Sequence, residues 1–434
     1  MDEKRGFLLF QRFRLKEKHG TLLKNTAMLA ILQLSTYVLA LVAVPYETRI
    51  LGPEVYGVLG AATAVMVYFQ LVIDFGFLLS ATEEAASHRD DKAYLRRLLT
   101  CVTISKIGLA VISCVVLLIL CQVIGAWEGR SGLFMLFFLS TVCTSLMPDY
   151  MYRGLEKMTA ITIRTVIIRT FFTVCIFIFL RGPEDLYVIP VLNIIGNGVA
   201  MLFAYVDLAR RFQIRFAKVH VKEILDNLKR SSVFFLSRIA TTAYTSLNTI
   251  ILDMITASGG ATGYYTAADK LITTGRNVLS PISDSLYPYM ARNRDFKMVK
   301  KVLLITMPFI TVFCAACFVW AEPLCKLFLG QEYGPAGNVL RAMLPVGIVT
   351  LPNYVLGFPT LGAMGLSKYA NYSVVFGSVL HIFNLLILCF TGNMNMLTLA
   401  ILVSVAECAI LAFRIAVIVR NRDRMRPKEG SGNA

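Results

Sequence analysis

Charge is scarce in this sequence. Only 16% of its 434 residues are Asp, Glu, Lys or Arg, and it contains four histidines and two tryptophans. Soluble globular domains carry about 25% charged and roughly 45–50% apolar residues. Here 56% are hydrophobic and the mean hydropathy is +0.65, which excludes a soluble enzyme and leaves a polytopic membrane protein. The apolar runs are continuous rather than alternating, so a transmembrane β-barrel is excluded too. Catalytic signatures are missing: no H-E-x-x-H, Walker A, G-x-G-x-x-G or G-x-S-x-G stands in a suitable context, and no cofactor or metal is expected. Most of the ten cysteines lie inside apolar runs. Cys314 and Cys317 form a C-x-x-C with no second ligand pair or histidine beside it, so they read as small buried hydrophobes.

Acid is the scarcer sign, 27 Asp and Glu against 43 Lys and Arg, giving a net charge of +16. Most bases lie in short segments between apolar runs, so the excess reads as topology signal and lipid-headgroup contact, not nucleic-acid binding. Uncharged runs mark helices at 25–46, 55–73, 107–127, 131–148, 186–206, 302–321 and 342–367, and 369–406 divides at Thr391-Gly392-Asn393. Admitting charges adds one helix near 160–180 and two over 232–290, hinged at Ser258-Gly259-Gly260. The expectation is all-α, with twelve transmembrane helices. With both termini cytoplasmic, 36 of the 43 bases fall at inner loops, tails and adjoining helix ends. Residues 1–24 form a basic segment whose Phe7-Leu8-Leu9-Phe10 and Phe13 can lie on the inner leaflet, leading into an uncleaved first helix.

The chain also echoes itself. Tyr56-Gly57 through His88-Arg89-Asp90 is matched by Gly263-Tyr264 through Asn293-Arg294-Asp295, and Gly154-Leu155-Glu156-Lys157 by Gly365-Leu366-Ser367-Lys368. The spacing divides the chain into six-helix bundles at 25–207 and 232–419, joined by a basic linker at 208–231 and followed by a basic tail at 420–434. Parallel repeats of this kind place a substrate site between the halves.

Ionisable groups at bilayer depth are costly and should face a bundle interior or a wet cavity. Arg164 and Arg414 can snorkel to the inner interface, and Asp253 lies near an outer helix end. Arg169, Lys270, Arg276 and Glu407 sit deeper. Helical spacing aligns Thr162, Thr165, Arg169 and Thr173 on one face. It does the same for Arg238, Thr242, Thr245 and Asn248, and for Thr262, Thr266, Asp269, Thr273, Arg276, Ser280 and Ser283. Hydroxyls alone would serve as interhelical glue, but guanidinium groups point to a hydrated anion pathway lined by Arg169, Lys270, Thr273, Arg276 and Asn248. Lone acids, Asp74, Asp149 and Glu407, are candidates for taking a proton or Na⁺. Arg414, at i+7 from Glu407, lies about 10 Å along the axis, too far for direct contact without a bridging group. His381 reads as a packing histidine.

The stretch Pro45-Tyr46-Glu47-Thr48-Arg49-Ile50-Leu51-Gly52-Pro53-Glu54-Val55-Tyr56-Gly57 resembles the signature of the O-antigen (Wzx-type) flippases, within the multidrug/oligosaccharidyl-lipid/polysaccharide exporter superfamily. Asp74-Phe75-Gly76-Phe77 with Ala81-Thr82, Gly154 to Met158, Pro281-Ile282 with Leu286-Tyr287-Pro288, and Gly330-Gln331-Glu332-Tyr333 are similar to further segments of that family, in order over nearly the whole chain. The resemblance implies a flippase that carries an undecaprenyl-pyrophosphate-linked glycan across the bacterial cytoplasmic membrane. It also implies two bundles rocking around a cationic cavity, Arg49 lining that cavity, ion antiport, and polysaccharide polymerase and chain-length machinery as partners. A multidrug antiporter of the same superfamily would want an anionic cavity. A membrane enzyme of polysaccharide assembly would want a sizeable loop carrying catalytic groups. A structural subunit would leave the deep charges unexplained.

Overall fold

The structure, a computed structural model, describes residues 2–242, 246–256 and 259–425. Its elements run α1 Asp2–Asp74, α2 Phe77–Ser87, α3 Lys92–Val123, α4 Ser131–Ser145, α5 Asp149–Gly154, α6 Met158–Phe179, α7 Val188–Arg210 and α8 Val221–Thr242. They continue with α9 Leu247–Ile255, α10 Gly260–Asn293, α11 Phe296–Val319, α12 Ala321–Leu329, α13 Ala336–Val355, α14 Ser367–Thr391 and α15 Met396–Arg420. No strand occurs among the described residues. The expected positions Thr245 and Ser258, the side chain of Thr242, the side chains of the Phe7–Phe13 cluster and the tail beyond 425 lie outside the described residues.

Local chemistry sets the breaks. α1 is broken by a kink at Gly52, whose φ of 69° needs glycine and whose successor, Pro53, has no N–H to continue the ladder. α3 and α11 start on capping aspartates. Asp91 accepts from the Tyr94 N–H at 3.0 Å, and Asp295 from those of Lys297 and Met298 at 3.1 and 3.3 Å. Asp295 ends the second segment of the first sequence echo, and Asp91 directly follows the end of the other. α13 carries Pro345 and Pro352 and runs into a π-helical turn, Leu356–Gly362, that contains Pro359.

Nine stretches among the described residues are long and apolar enough to cross a membrane, and the first of these, Ser35–Ser87, contains the Gly52 kink. This is a multi-pass membrane protein. The charged α10, and α8 with α9, are not among the nine. Large apolar side chains such as Val111, Ile112, Phe309 and Val312 point outward, as lipid requires. The main core joins Leu51, Tyr56, Phe69, Trp127 and Phe134 to Leu252, Tyr265, Tyr333, Val339 and Leu399, so early and late helices are fused at one end. Lipid is as apolar as leucine, so close packing rather than water exclusion must hold such a core.

Candidate functional site

The fused end is a seam between α1 and α10. A methyl group on Gly57 would overlap the Gly259 carbonyl, one on Gly263 the Pro53 carbonyl, and one on Gly60 the Thr266 side chain. Small residues let backbones meet this closely, as membrane helix packing demands. Polar contacts lock the same end. Thr48 Oγ1 donates to the Leu329 carbonyl at 2.8 Å. Asp253 accepts from Trp127 Nε1 at 3.2 Å and from Arg130 at 3.4 Å. Asp253 is therefore an inter-helix partner as well as a residue near a helix end.

Arg49 belongs to this seam. It is exposed, donates to the Leu327 carbonyl, and lines an open pocket of about 480 Å³ with Thr48, Lys326, Gly330, Gln331, Glu332 and Tyr333. Two similar turns face each other here, Leu51-Gly52-Pro53-Glu54 and Leu329-Gly330-Gln331-Glu332, each with its glycine at positive φ (69° and 121°). Tyr333 stacks edge-on to Tyr56 and Tyr264, with centroids 6.4 and 5.9 Å away.

Beyond the seam, α10 turns polar. Lys270 and Thr273 are exposed and Arg276 is half-buried. Lys270 is a charged neighbour that acts on Glu47 of α1 and on Asp269, while Arg276 reaches Glu407 of α15. Arg169, on α6, is exposed and donates to Thr36 Oγ1 of α1. Lys270, Thr273 and Arg276 lie within about two turns of α10, whereas Arg49 stands at the seam and Arg169 on a different helix pair.

Several expectations need correction. Asn248 lines no cavity: it is fully buried, donating to Tyr265 Oη at 3.0 Å and meeting His381 Nε2 at 2.9 Å. None of the three acids is lone. Asp74 pairs with Lys106 at 3.0 Å, Asp149 pairs with Arg164, and Glu407 pairs with Arg276 at 2.7 Å. Arg164 and Arg414 do not snorkel; both are buried. Arg414 donates to the Asn353 backbone carbonyl, and Asn353 Nδ2 donates to Glu407 Oε2 at 3.0 Å, so Asn353 bridges the Glu407–Arg414 gap with its main chain on one side and its side chain on the other. The corrections to charged groups share one cause: a buried charge left alone is strongly destabilising, so partners come from other helices. Lys106, Asn353 and Glu47 were not singled out as site residues. Glu47 at least lay inside the signature stretch, whereas Asn353 carried no sequence signal.

The packing, the outward apolar surface and the polar inner face of α10 define a helical transporter-type membrane fold. Among solved structures, the lipid II flippase MurJ in an inward closed conformation aligns with a TM-score of 0.66 at 14% identity, covering 91% of this chain and 90% of that one. An inward-facing MATE family multidrug resistance transporter of the MOP superfamily also gives 0.66 at 14% identity, covering 92% and 98%. Residues 22–294 match the family model described as polysaccharide biosynthesis protein, and the chain belongs to that family. A protein of Escherichia coli (strain K12) named "Putative O-antigen transporter" is 24% identical over 408 residues, which is 93% of this chain and 98% of that protein. One of the same name from Shigella dysenteriae is 25% identical over 369 residues, covering 83% and 91%.

Proposed function

We propose that this protein is a flippase that moves an undecaprenyl-pyrophosphate-linked glycan across the bacterial cytoplasmic membrane by alternating access. The observation that carries this reading is the lower face of α10. Lys270, Thr273 and Arg276 follow one another along it, Lys270 and Thr273 exposed and Arg276 half-buried, next to a seam packed too tightly for passage. Guanidinium and ammonium groups suit pyrophosphate oxygens, hydroxyls suit sugars, and the lipid tail can stay in the bilayer. Arg169 extends the basic lining from α6. Membership of the polysaccharide biosynthesis family and the names of the Escherichia and Shigella relatives support the substrate class.

In this reading the Gly52 kink splits α1 into two crossings, and α8 with α9 and α10 supply two more, making twelve in two groups of six. Both termini are cytoplasmic, the seam faces outward, and the flipped glycan passes to a polymerase with its chain-length machinery. The deep bases oppose a cationic drug, and Lys270 offsets Glu47 and Asp269, so a multidrug antiporter is the weaker reading. Glu407 is the coupling candidate because it sits directly on Arg276; Asp74 and Asp149 pair instead within the N-terminal helices.

The test is complementation of a flippase deletion strain. Lys270→Glu should abolish surface-polysaccharide display at unchanged protein level, and full complementation would sink the anion-pathway reading. Glu407→Gln should weaken the gradient dependence of flipping in proteoliposomes; unaltered dependence removes it from coupling.

A further inference from the structure

Away from the seam and from the α10 face, a cavity of about 220 Å³ lies between α2, α3 and the first three turns of α8. Its lining is rich in ionisable groups. α2 contributes Glu84, α3 contributes Tyr94, Arg97 and Cys101, and α8 contributes Glu223, Asp226, Asn227 and Arg230. α8 is anchored on both sides of these residues. Before it, Arg96 Nε donates to the Gln213 carbonyl and the Ala217 N–H donates to Thr100 Oγ1, both at 2.9 Å. Just past Arg230, Ser231 Oγ meets Ser80 Oγ of α2 at 2.7 Å.

Glu84 is already satisfied. Its Oε2 accepts from Tyr94 Oη at 2.7 Å and its Oε1 from Arg230 Nη1 at 3.5 Å. Two other acceptors are not. Glu223 Oε2 and Asn227 Oδ1 are buried with no donor among the described residues. They stand four residues apart on α8, so their side chains share one helix face. Asn227 is only 6% exposed. Both oxygens only accept, and a buried acceptor left unmet costs free energy until a donor or a cation reaches it. The charge has the matching sign. Three acids against two bases leave the lining with one net negative charge. Glu84 and Glu223 also act together on the buried Cys101 thiol, which sets both carboxylates against the same spot on α3.

We propose that this cavity holds one monovalent inorganic cation of the size and hardness of Na⁺, with Glu223 and Asn227 as its protein ligands and water completing its shell. Hard cations take oxygen donors, and one positive charge neutralises the lining. Among the described residues no three acids, histidines or cysteines stand close enough together to hold a metal ion, which opposes a chelated divalent or transition metal. The cavity is large enough for the ion and several waters. Held there, the cation joins α8 to α2 and α3, so its occupancy fixes the segment that leads from the early helices into α9 and α10. The site stands on this cavity alone and does not depend on which cargo the protein carries.

Hydrogen exchange on the purified full-length protein tests this, following residues 220–231 as Na⁺ replaces N-methyl-D-glucamine at constant ionic strength. A ligand that binds only the docked form multiplies protection by one plus the ratio of its concentration to its dissociation constant. Exchange should therefore slow about tenfold when Na⁺ stands at about ten times that constant. Residues 125–130 should not respond. Glu223→Gln, which keeps the shape of the side chain, should abolish the Na⁺ response, and so should Asn227→Leu, which covers the case in which one variant does not fold. Glu83→Gln, at the exposed neighbour of Glu84, should keep it. Equal exchange of the wild type in the two salts overturns the proposal. A Na⁺ response that survives in either Glu223→Gln or Asn227→Leu overturns it as well, because the ion then sits elsewhere.

Discussion

The two ends of α10 are one helix in two environments. From 260 to 268 it is small and buried, with Thr262, Gly263, Tyr265, Ala267 and Ala268 set against α1. From 270 onward it exposes Lys270, Thr273, Val278, Pro281 and Asp284. No break in the helix separates the two regions; the change comes from side-chain size. Where a Cβ cannot fit, at Gly57, Gly60 and Gly263, α1 and α10 are in close contact, and from Lys270 onward the side chains of α10 are more exposed. In a bilayer, closeness of approach decides which surfaces associate, because lipid competes on equal terms for larger apolar faces.

That contrast can be broken from either end. The largest effect is expected from Gly263→Val, which forces side-chain atoms onto the Pro53 carbonyl. Overpacking costs about 1–3 kcal/mol or more, and here the strain falls wholly on the closed seam. Flipping should drop to background, and a cysteine placed at Glu54 should become reactive to an impermeant thiol reagent; normal transport would show that the seam never needs to close. Next comes Thr273→Val, which removes a hydroxyl from the open face without adding bulk. Flipping should fall about threefold to tenfold, a loss of about 1 kcal/mol for one hydrogen bond, with thermal stability unchanged. A matching loss of stability would instead assign Thr273 to packing.

Asp253→Ala sharpens the comparison from the seam side. It leaves Trp127 Nε1 without its acceptor and Arg130 without its ion pair. A buried donor left unmet costs about 1–3 kcal/mol, so thiol accessibility at the seam should rise severalfold while the fold persists. Accessibility equal to wild type would mean that the glycines alone hold that end. The smallest effect belongs to Arg89→Ala. Its pair with Glu156, at 2.9 Å, has both side chains 42–50% exposed. Exposed pairs contribute about 0.2–1 kcal/mol, so neither stability nor flipping should change measurably; a clear transport defect would make this loop pair part of the moving machinery.

Much of the fold was legible because bilayer length and apolarity constrain a helix wherever it sits. The uncharged runs at 107–127, 131–148 and 302–321 each overlap one observed helix and overrun its end by two to four residues, and the break at Leu51-Gly52-Pro53 lies between the first two expected spans. The site was legible only as residue types. Spacing put Thr273 and Arg276 on one polar stripe of α10, and it put Asn248 in a cavity, whereas Asn248 belongs to a buried cluster with Tyr265 and His381. A polar stripe looks the same from the sequence whether it faces water or another helix.

The sequence by itself determined that this chain is a membrane protein of many helices and where several of those helices turn. Each follows from transfer energies of single side chains and from backbone limits at glycine and proline. Only the tertiary structure decided who partners whom. Lys106 answers Asp74, Arg276 answers Glu407, and Asn353 joins Glu407 to Arg414. Such pairings depend on distances between helices separated by 32 to 131 residues, which no local pattern encodes.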